Sequence, residues 1–501
     1  MNTEQAKQQL KELQIKQYAF GYAESSIYLD SVTTAPKETS AERGIALSVL
    51  SEESYKLFVN DEVKRLLDFI AKNPSEFTWE EQRQAEELKR SFDDMTKMPM
   101  NEFVEYSVLI NDAQSAWHKA KETSDYELFK PYLAKIIETN RRFAAYFDPD
   151  KDPYDVWLDK FERGVNKEIL DGYFAEVRSV LVPLIKNFKE KAKIDDSFLF
   201  KKYPIEKQRE FSDYLMEVMG IDRNHCAIEE TEHPFTLNFN SNDVRITTKY
   251  LENNVASSMY SVIHEGGHAL YELGIDPKFN CTALAGGSSM GLHESQSRLY
   301  ENMIGRSLPF IEYIFPKMKE LFPEQLEGVD AKKFWLAVNK AEPSLIRTEA
   351  DELTYSLHII IRYELEKQLI SGTLSVDELP GAWNRLYKEY LGVDVPDDKH
   401  GVLQDSHWSG GSLGYFPSYS LGSAYAAQMI YCMEQEFDVW KAVSEGKINK
   451  ITEWLDEKIH KHGCSLKPNE LLQNAIGKFD AKYYTDYLAK KFNNIAEIAE
   501  H

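Results

Sequence analysis

Cysteine is scarce in this sequence, and positive charge is outnumbered. Of 501 residues only four are cysteine (Cys226, Cys281, Cys432 and Cys464), and none stand as a C-x-x-C pair. That excludes a disulfide framework and a cysteine-ligated zinc module, and free thiols suit a reducing cytoplasm. Lys and Arg number 59 against 82 Asp and Glu, a net charge of −23. Such a surface repels phosphate backbones and anionic lipid, so neither nucleic acid nor a membrane surface is an expected partner. Gly and Pro, at 24 and 18, are too few for a fibrous or disordered chain. The opening Met1–Lys7 runs straight into charged amphipathic sequence without an apolar core, so no secretory signal is expected. One stretch, Trp408–Met433, carries no charged side chain, but it is rich in Ser, Gly and Tyr and contains Pro417. That composition suits the wall of a cavity better than lipid.

What is abundant is helical periodicity. Apolar residues recur at three- and four-residue spacing over 3–29, 40–72, 78–95, 98–122, 125–146, 167–193 and 204–219. The pattern returns at 296–322, 331–341, 345–371, 376–392, 420–444, 447–462 and 467–493. No repeat or biased linker divides the chain, so residues 1–501 read as a single domain, mainly α. One region departs from this texture: Phe235–Asn240 and Val244–Thr248 each alternate apolar and polar residues around Ser241-Asn242-Asp243, the pattern of a β-hairpin.

Directly after the hairpin, residues 255–273 read as a helix stopped by Gly274 and Pro277. Within it stands His264-Glu265-Gly266-Gly267-His268. Four residues along a helix is about 40° of rotation and about 6 Å of rise, so both imidazoles leave one face. That arrangement suits two corners of a tetrahedral metal site, with Glu265 placed to take a proton from an attacking water. At this composition the pattern arises by chance in roughly one chain in thirty. Two incidental surface histidines would leave Gly266 and Gly267 unexplained, since each costs about 1 kcal/mol in a helix interior. Paired glycines make sense where another backbone, such as the hairpin, passes close.

A third ligand must come from elsewhere. A metzincin needs Gly and His where this chain has Tyr271 and Gly274. Glu294 and Glu301 lie seven residues apart on the next helical segment and share a face; Glu272 is the local competitor but points away by another turn. Glu294 is the choice, with His293 beside it as a ligand-supporting or simply structural histidine. Asp405-Ser406-His407 followed by Tyr415 and Tyr419 offers an imidazole and two phenols from an uncharged wall, which are candidate donors to a developing oxyanion. For a substrate carboxylate, Arg245 and Arg347 are candidates because a guanidinium fork matches two oxygens; an ion pair to Asp243 or Asp351 is the structural alternative for each. The strand Val244–Thr248 is expected to align peptide by edge pairing.

Six segments together resemble a known family. They are His233-Pro234-Phe235, Asp243-Val244-Arg245-Ile246-Thr247, His264–His268, and His293-Glu294-Ser295-Gln296. The last two are Ile346-Arg347-Thr348-Glu349-Ala350-Asp351 and Gly401-Val402-Leu403-Gln404-Asp405-Ser406-His407-Trp408. In order and spacing they resemble the carboxypeptidase Taq family of metallocarboxypeptidases. The resemblance implies a large helical fold in which two lobes flank a deep groove, with a small hairpin beside the metal. It implies one divalent ion per subunit, zinc by the His₂Glu set (cobalt or manganese also being accommodated), and a homodimer. It implies release of carboxy-terminal residues from peptides with broad preference, and His233 joins the substrate-binding candidates. A thimet-like oligoendopeptidase and a non-catalytic metal-stabilised binding protein are the competing classes.

Overall fold

The computed structural model describes residues 1–36 and 38–500. It is mostly helical, with one three-stranded sheet. The motif helix, Val255–Leu273, starts where the Asn254 side chain accepts from Ser257 N and stops at Gly274. It is buried on nearly every side, as a helix at the centre of a large fold must be. The ligand helix, Met290–Arg298, is capped by Ser289 and continues into a π-type turn over Leu299–Ile304. A third helix, Phe416–Glu436, packs across it. It carries most of the uncharged stretch of the sequence, which is largely buried in protein, and no helix among the described residues is long and apolar enough to cross a membrane.

Small residues set these crossings. A Cβ on Gly267 would stand 2.7 Å from Gln296 O and 2.8 Å from Ser297 Cα, so the backbone passing over the motif is the ligand helix rather than the hairpin. Gly266 instead faces the tips of Met219 and Ile221. A Cβ on Gly422 would meet Glu294 Cβ and Cγ at 2.7 Å.

The sheet consists of β1 (Cys226–Glu230), β2 (Thr236–Asn240) and β3 (Asp243–Thr248), in the order β1-β3-β2. The hairpin β2–β3 is antiparallel, and β1, unmarked by clear alternation, pairs parallel to β3. The strand expected to align a peptide, Val244–Thr248, is therefore the middle strand and has no free edge; β2 has one. The buried Val244 and Ile246 anchor β3 against the motif helix.

One continuous core cluster runs from Ala113 to Ala496, and a smaller one joins Ala6, Leu10, Phe58, Leu67 and Phe92 in the amino-terminal helices. The first helix, Thr3–Thr33, reaches from that smaller cluster to the hairpin. Tyr22 packs on Phe239 at 4.6 Å between ring centroids, Tyr28 packs on Phe235 at 5.6 Å, and Asn240 Nδ2 donates to Tyr18 Oη at 2.9 Å.

Several predicted helices are shorter than periodicity implied, each for a local reason. The segment 40–72 breaks at Asn60, whose side chain caps a new helix by accepting from Val63 N. The helix predicted over 345–371 begins only at Tyr355, because Asp351 accepts from Leu353 N and Thr354 N and turns the chain. The segment 467–493 divides at Gly477.

Candidate metal centre

Glu294 is brought to the two motif histidines by the crossing at Gly267. One nitrogen of His264, one of His268 and one carboxylate oxygen of Glu294 lie within 4.8 Å of one another. His264 Nε2 and His268 Nε2 stand 4.0 and 3.7 Å from Glu294 Oε2. These spacings are somewhat wider than the ~3.4 Å edge of a tetrahedral site with ~2.1 Å bonds, and two imidazoles plus one carboxylate are the donor set of hydrolytic centres with an open fourth position. The residues present fit a divalent metal.

Each ligand is held from behind. Arg298 Nε donates to Glu294 Oε1 at 2.7 Å, leaving Oε2 to face the histidines. Glu301 does not join the set: its Oε2 lies 2.7 Å from His264 Nδ1 and 3.2 Å from Arg298 Nη1. Burial opposes ionisation of Glu301, yet Arg298, His264 and Arg306 together hold its carboxyl well below the ordinary range. Burial, reinforced by His293 and His264, holds His268 in its neutral form, which is the form that binds a metal. Glu272 stands apart from the three converging side chains, as expected, and meets His293 Nε2 at 2.7 Å.

Glu265 is 6% exposed and sits beside the ligand set. Its Oε2 accepts from Thr236 Oγ1 at 2.6 Å. Burial raises its pKa, partly offset by His264 and the Thr236 hydroxyl. A carboxylate poised this way is a better proton acceptor than a solvated one.

His407, Tyr415 and Tyr419 form one cluster. His407 Nε2 and the Tyr419 hydroxyl share a 3.2 Å hydrogen bond, and Tyr415 stacks on His407 at 5.6 Å. Burial pushes His407 down to about 4 and raises both phenols, so at neutral pH the ring is uncharged and each hydroxyl keeps its hydrogen. His407 Nδ1 is buried with no hydrogen-bond partner among the described residues. His233, His407 and Tyr415 line one cavity of about 700 Å³ together with Trp117 and His118.

Neither arginine candidate is free. Arg245 donates Nε and Nη2 to Asp243 at 3.0 and 2.9 Å and lies over the Phe239 ring. Arg347 opens a short 3₁₀ turn, Arg347–Glu349, rather than lying on an α-helix, and pairs with Asp405 rather than Asp351, Nε and Nη2 both reaching Oδ1 at 2.9 and 2.8 Å. Asp405 also binds the fully buried Arg362 at 2.6 Å. Arg347 extends Nη1 to Tyr355 Oη at 3.1 Å and packs 5.1 Å from the Tyr419 ring, which joins it to the aromatic cluster.

The remaining motif residues build scaffold. Thr247 Oγ1 accepts from Phe235 N, Gln296 Oε1 meets His460 Nε2, Gln404 Oε1 accepts from Arg347 N, and Trp408 Nε1 donates to Glu366. Ser295 Oγ donates to Leu292 O, and a Cβ on Gly401 would crowd Val395. Sequence reasoning missed Thr236 and Arg298. The second was signalled by its i+4 spacing from Glu294; the first depends on how the hairpin docks and had no signal.

A mostly helical fold that sets an HExxH helix against a glutamate-bearing one defines a gluzincin-type metallopeptidase. The profile of the carboxypeptidase Taq (M32) metallopeptidases matches residues 9–492. Carboxypeptidase 1 of Bacillus subtilis (strain 168) is 41% identical over 479 residues, covering 95% of this chain and 96% of the relative. The thermostable carboxypeptidase 1 of Pyrococcus furiosus is 35% identical over 95% of this chain and 96% of that protein. Among solved structures, the M32 carboxypeptidase of Deinococcus radiodurans R1 superposes with a TM-score of 0.96 at 34% identity, covering 98% of this chain and 100% of the other. The chain belongs to the carboxypeptidase Taq (M32) family, and it is a peptide hydrolase of the metallocarboxypeptidase class.

Proposed function

We propose that this protein removes residues one at a time from the free carboxy terminus of peptides, with broad side-chain preference, using one zinc ion held by His264, His268 and Glu294. The observation that carries the reading is the convergence of those three side chains within 4.8 Å beside the buried Glu265. When bound, the metal polarises the scissile carbonyl and lowers the pKa of water. Glu265 takes the proton of the attacking water and hands it to the leaving amine. Tyr415, Tyr419 or His407 supplies the hydrogen bond to the developing oxyanion. The free edge of β2, which begins at the Thr236 that touches Glu265, aligns the peptide by main-chain pairing. Arg347 receives the terminal carboxylate, supported by its contact with Tyr419; Arg245 and His233 bind further along the groove.

The resemblance supports a single peptidase unit of two helical lobes and a homodimer. Four free cysteines suit a cytoplasmic location. The test is mass spectrometry of digested peptides alongside the Glu265→Gln variant with its metal content measured. Single residues lost from the end, with Glu265→Gln metal-loaded and inactive, support the proposal. Internal fragments point to an oligoendopeptidase, and an active Glu265→Gln enzyme overturns the assignment of the base.

A further inference from the structure

The side of His268 that faces away from Glu294 has a partner of an uncommon kind. Its Nδ1 lies 2.6 Å from Nδ1 of His293, whose own Nε2 lies 2.7 Å from Glu272 Oε1. The motif helix supplies both ends of this chain, since Glu272 follows His268 by one turn. The ligand helix supplies the middle, His293 being the residue before Glu294. Glu272 is 5% exposed, and its other partners are neutral donors, Gly287 N at 3.0 Å and the Asn238 amide. The Tyr271 ring flanks His293 at 5.2 Å. A Cβ on Gly287 would stand 2.5 Å from His293 Cδ2 and 2.8 Å from Tyr271 Cε1. The loop before the ligand helix is therefore glycine where the second imidazole needs room.

Proton positions follow from the geometry. Two ring nitrogens at this distance share one hydrogen; both cannot carry one. His268 Nε2 is the nitrogen facing Glu294, so binding a metal requires a lone pair there and puts the hydrogen on Nδ1. His293 must then accept at Nδ1, which leaves its Nε2–H to donate to Glu272. The other ligand, His264, meets its carboxylate, Glu301, with no ring between.

We infer that Glu272 and His293 form a positioning relay that fixes His268 in the tautomer that binds metal through Nε2. This rests on the metal reading above. It goes beyond that reading by assigning two residues that touch neither metal nor substrate to the strength of the centre. Partners of this kind typically change metal affinity by about 10- to 100-fold.

The test uses the full-length protein stripped of metal and titrated with Zn²⁺ against a chromophoric chelator, with the Co²⁺ form read by its visible absorption. His293→Ala lowers the affinity about 10- to 100-fold and alters the Co²⁺ bands. His293→Asn, whose side-chain oxygen can accept from His268 Nδ1, recovers part of both. Glu272→Gln, which removes charge while keeping an acceptor, weakens binding less than His293→Ala. Thermal unfolding of the metal-free variants separates loss of affinity from loss of fold; if His293→Ala does not fold, His293→Asn is compared directly with Glu272→Gln. Parent-like affinity and Co²⁺ spectrum in His293→Ala overturn the relay, as does an Asn variant no better than Ala. If instead the parent binds no ion, or His264→Ala and Glu294→Ala leave its affinity unchanged, the metal reading itself has failed.

Discussion

Thr236 donates its hydroxyl hydrogen to the Glu265 carboxylate at 2.6 Å, so the first residue of the edge strand is fastened to the group beside the ligand set. If Glu265 is the general base, the hairpin helps to position it. Removing that donor with Thr236→Val raises the Glu265 pKa further, because the hydroxyl is one of the groups that lower it. A base must be unprotonated to act, so the acid limb of the kcat/KM profile moves to higher pH. The rate is therefore lost on the acid side of the profile, where the protonated fraction of Glu265 grows, and recovers as pH rises. Steady-state kinetics across pH checks this, with metal content confirming that the centre is intact.

The two glycines of the motif make an internally controlled pair. An alanine Cβ at Gly267 meets the backbone of Gln296 and Ser297, which cannot yield without moving the ligand helix. Gly267→Ala should therefore cost about 1–3 kcal/mol of stability and weaken metal binding. Gly266→Ala presses on the flexible end of Met219 and gains up to about 1 kcal/mol of helix propensity. It should remain close to the parent in both respects. Thermal unfolding and metal titration of the two variants side by side decide the matter.

The difference between these glycines also marks how far the sequence could be read. Its HExxH pattern announced a tight approach but not which backbone made it, because that depends on where Met290–Arg298 docks. The convergence of His264 and His268 on one side was legible because helical spacing converts directly into a shared face, whereas the choice of Glu294 over Glu301 depends on how the next helix docks. The helix from Ser40 to Lys72 was read as continuous because hydrophobic periodicity passes smoothly over Asn60, whereas capping is decided by one side chain. Arg347 was placed on a helix for the same reason. Its bond to Asp405, fifty-eight residues away in sequence, is a tertiary event that no local pattern carries.

His407 makes a pH prediction with a definite sign. Burial pushes it down from 6.5 to about 4. Between those values the unfolded chain binds the proton and the folded one does not, so stability falls as pH drops from 6.5 toward 4, and the loss is complete below. The linked contribution reaches at most ~3 kcal/mol. Imidazole NMR should show His407 neutral throughout pH 5–8. In denaturant titrations the stability lost between pH 6.5 and 4 should be smaller for His407→Gln than for the parent; equal losses would remove the assignment.

Arg347 and Arg245 are both tied to aspartates, and substrate chemistry can separate them. A lysine at 347 keeps charge but loses the fork, through which Asp405 and Tyr355 orient the guanidinium. If Arg347 receives the carboxylate, Arg347→Lys raises KM for free-ended peptides by about 10-fold or more, a charge-assisted contact being worth ~1.5–3 kcal/mol. Peptides amidated at the carboxy terminus, already poor substrates, lose nothing further. Arg245→Lys, by contrast, changes both substrates equally, because a contact further along the groove does not distinguish a free from an amidated end. Equal effects of Arg347→Lys on free and amidated peptides would assign Arg347 to holding the aromatic cluster, and the carboxylate would need another partner.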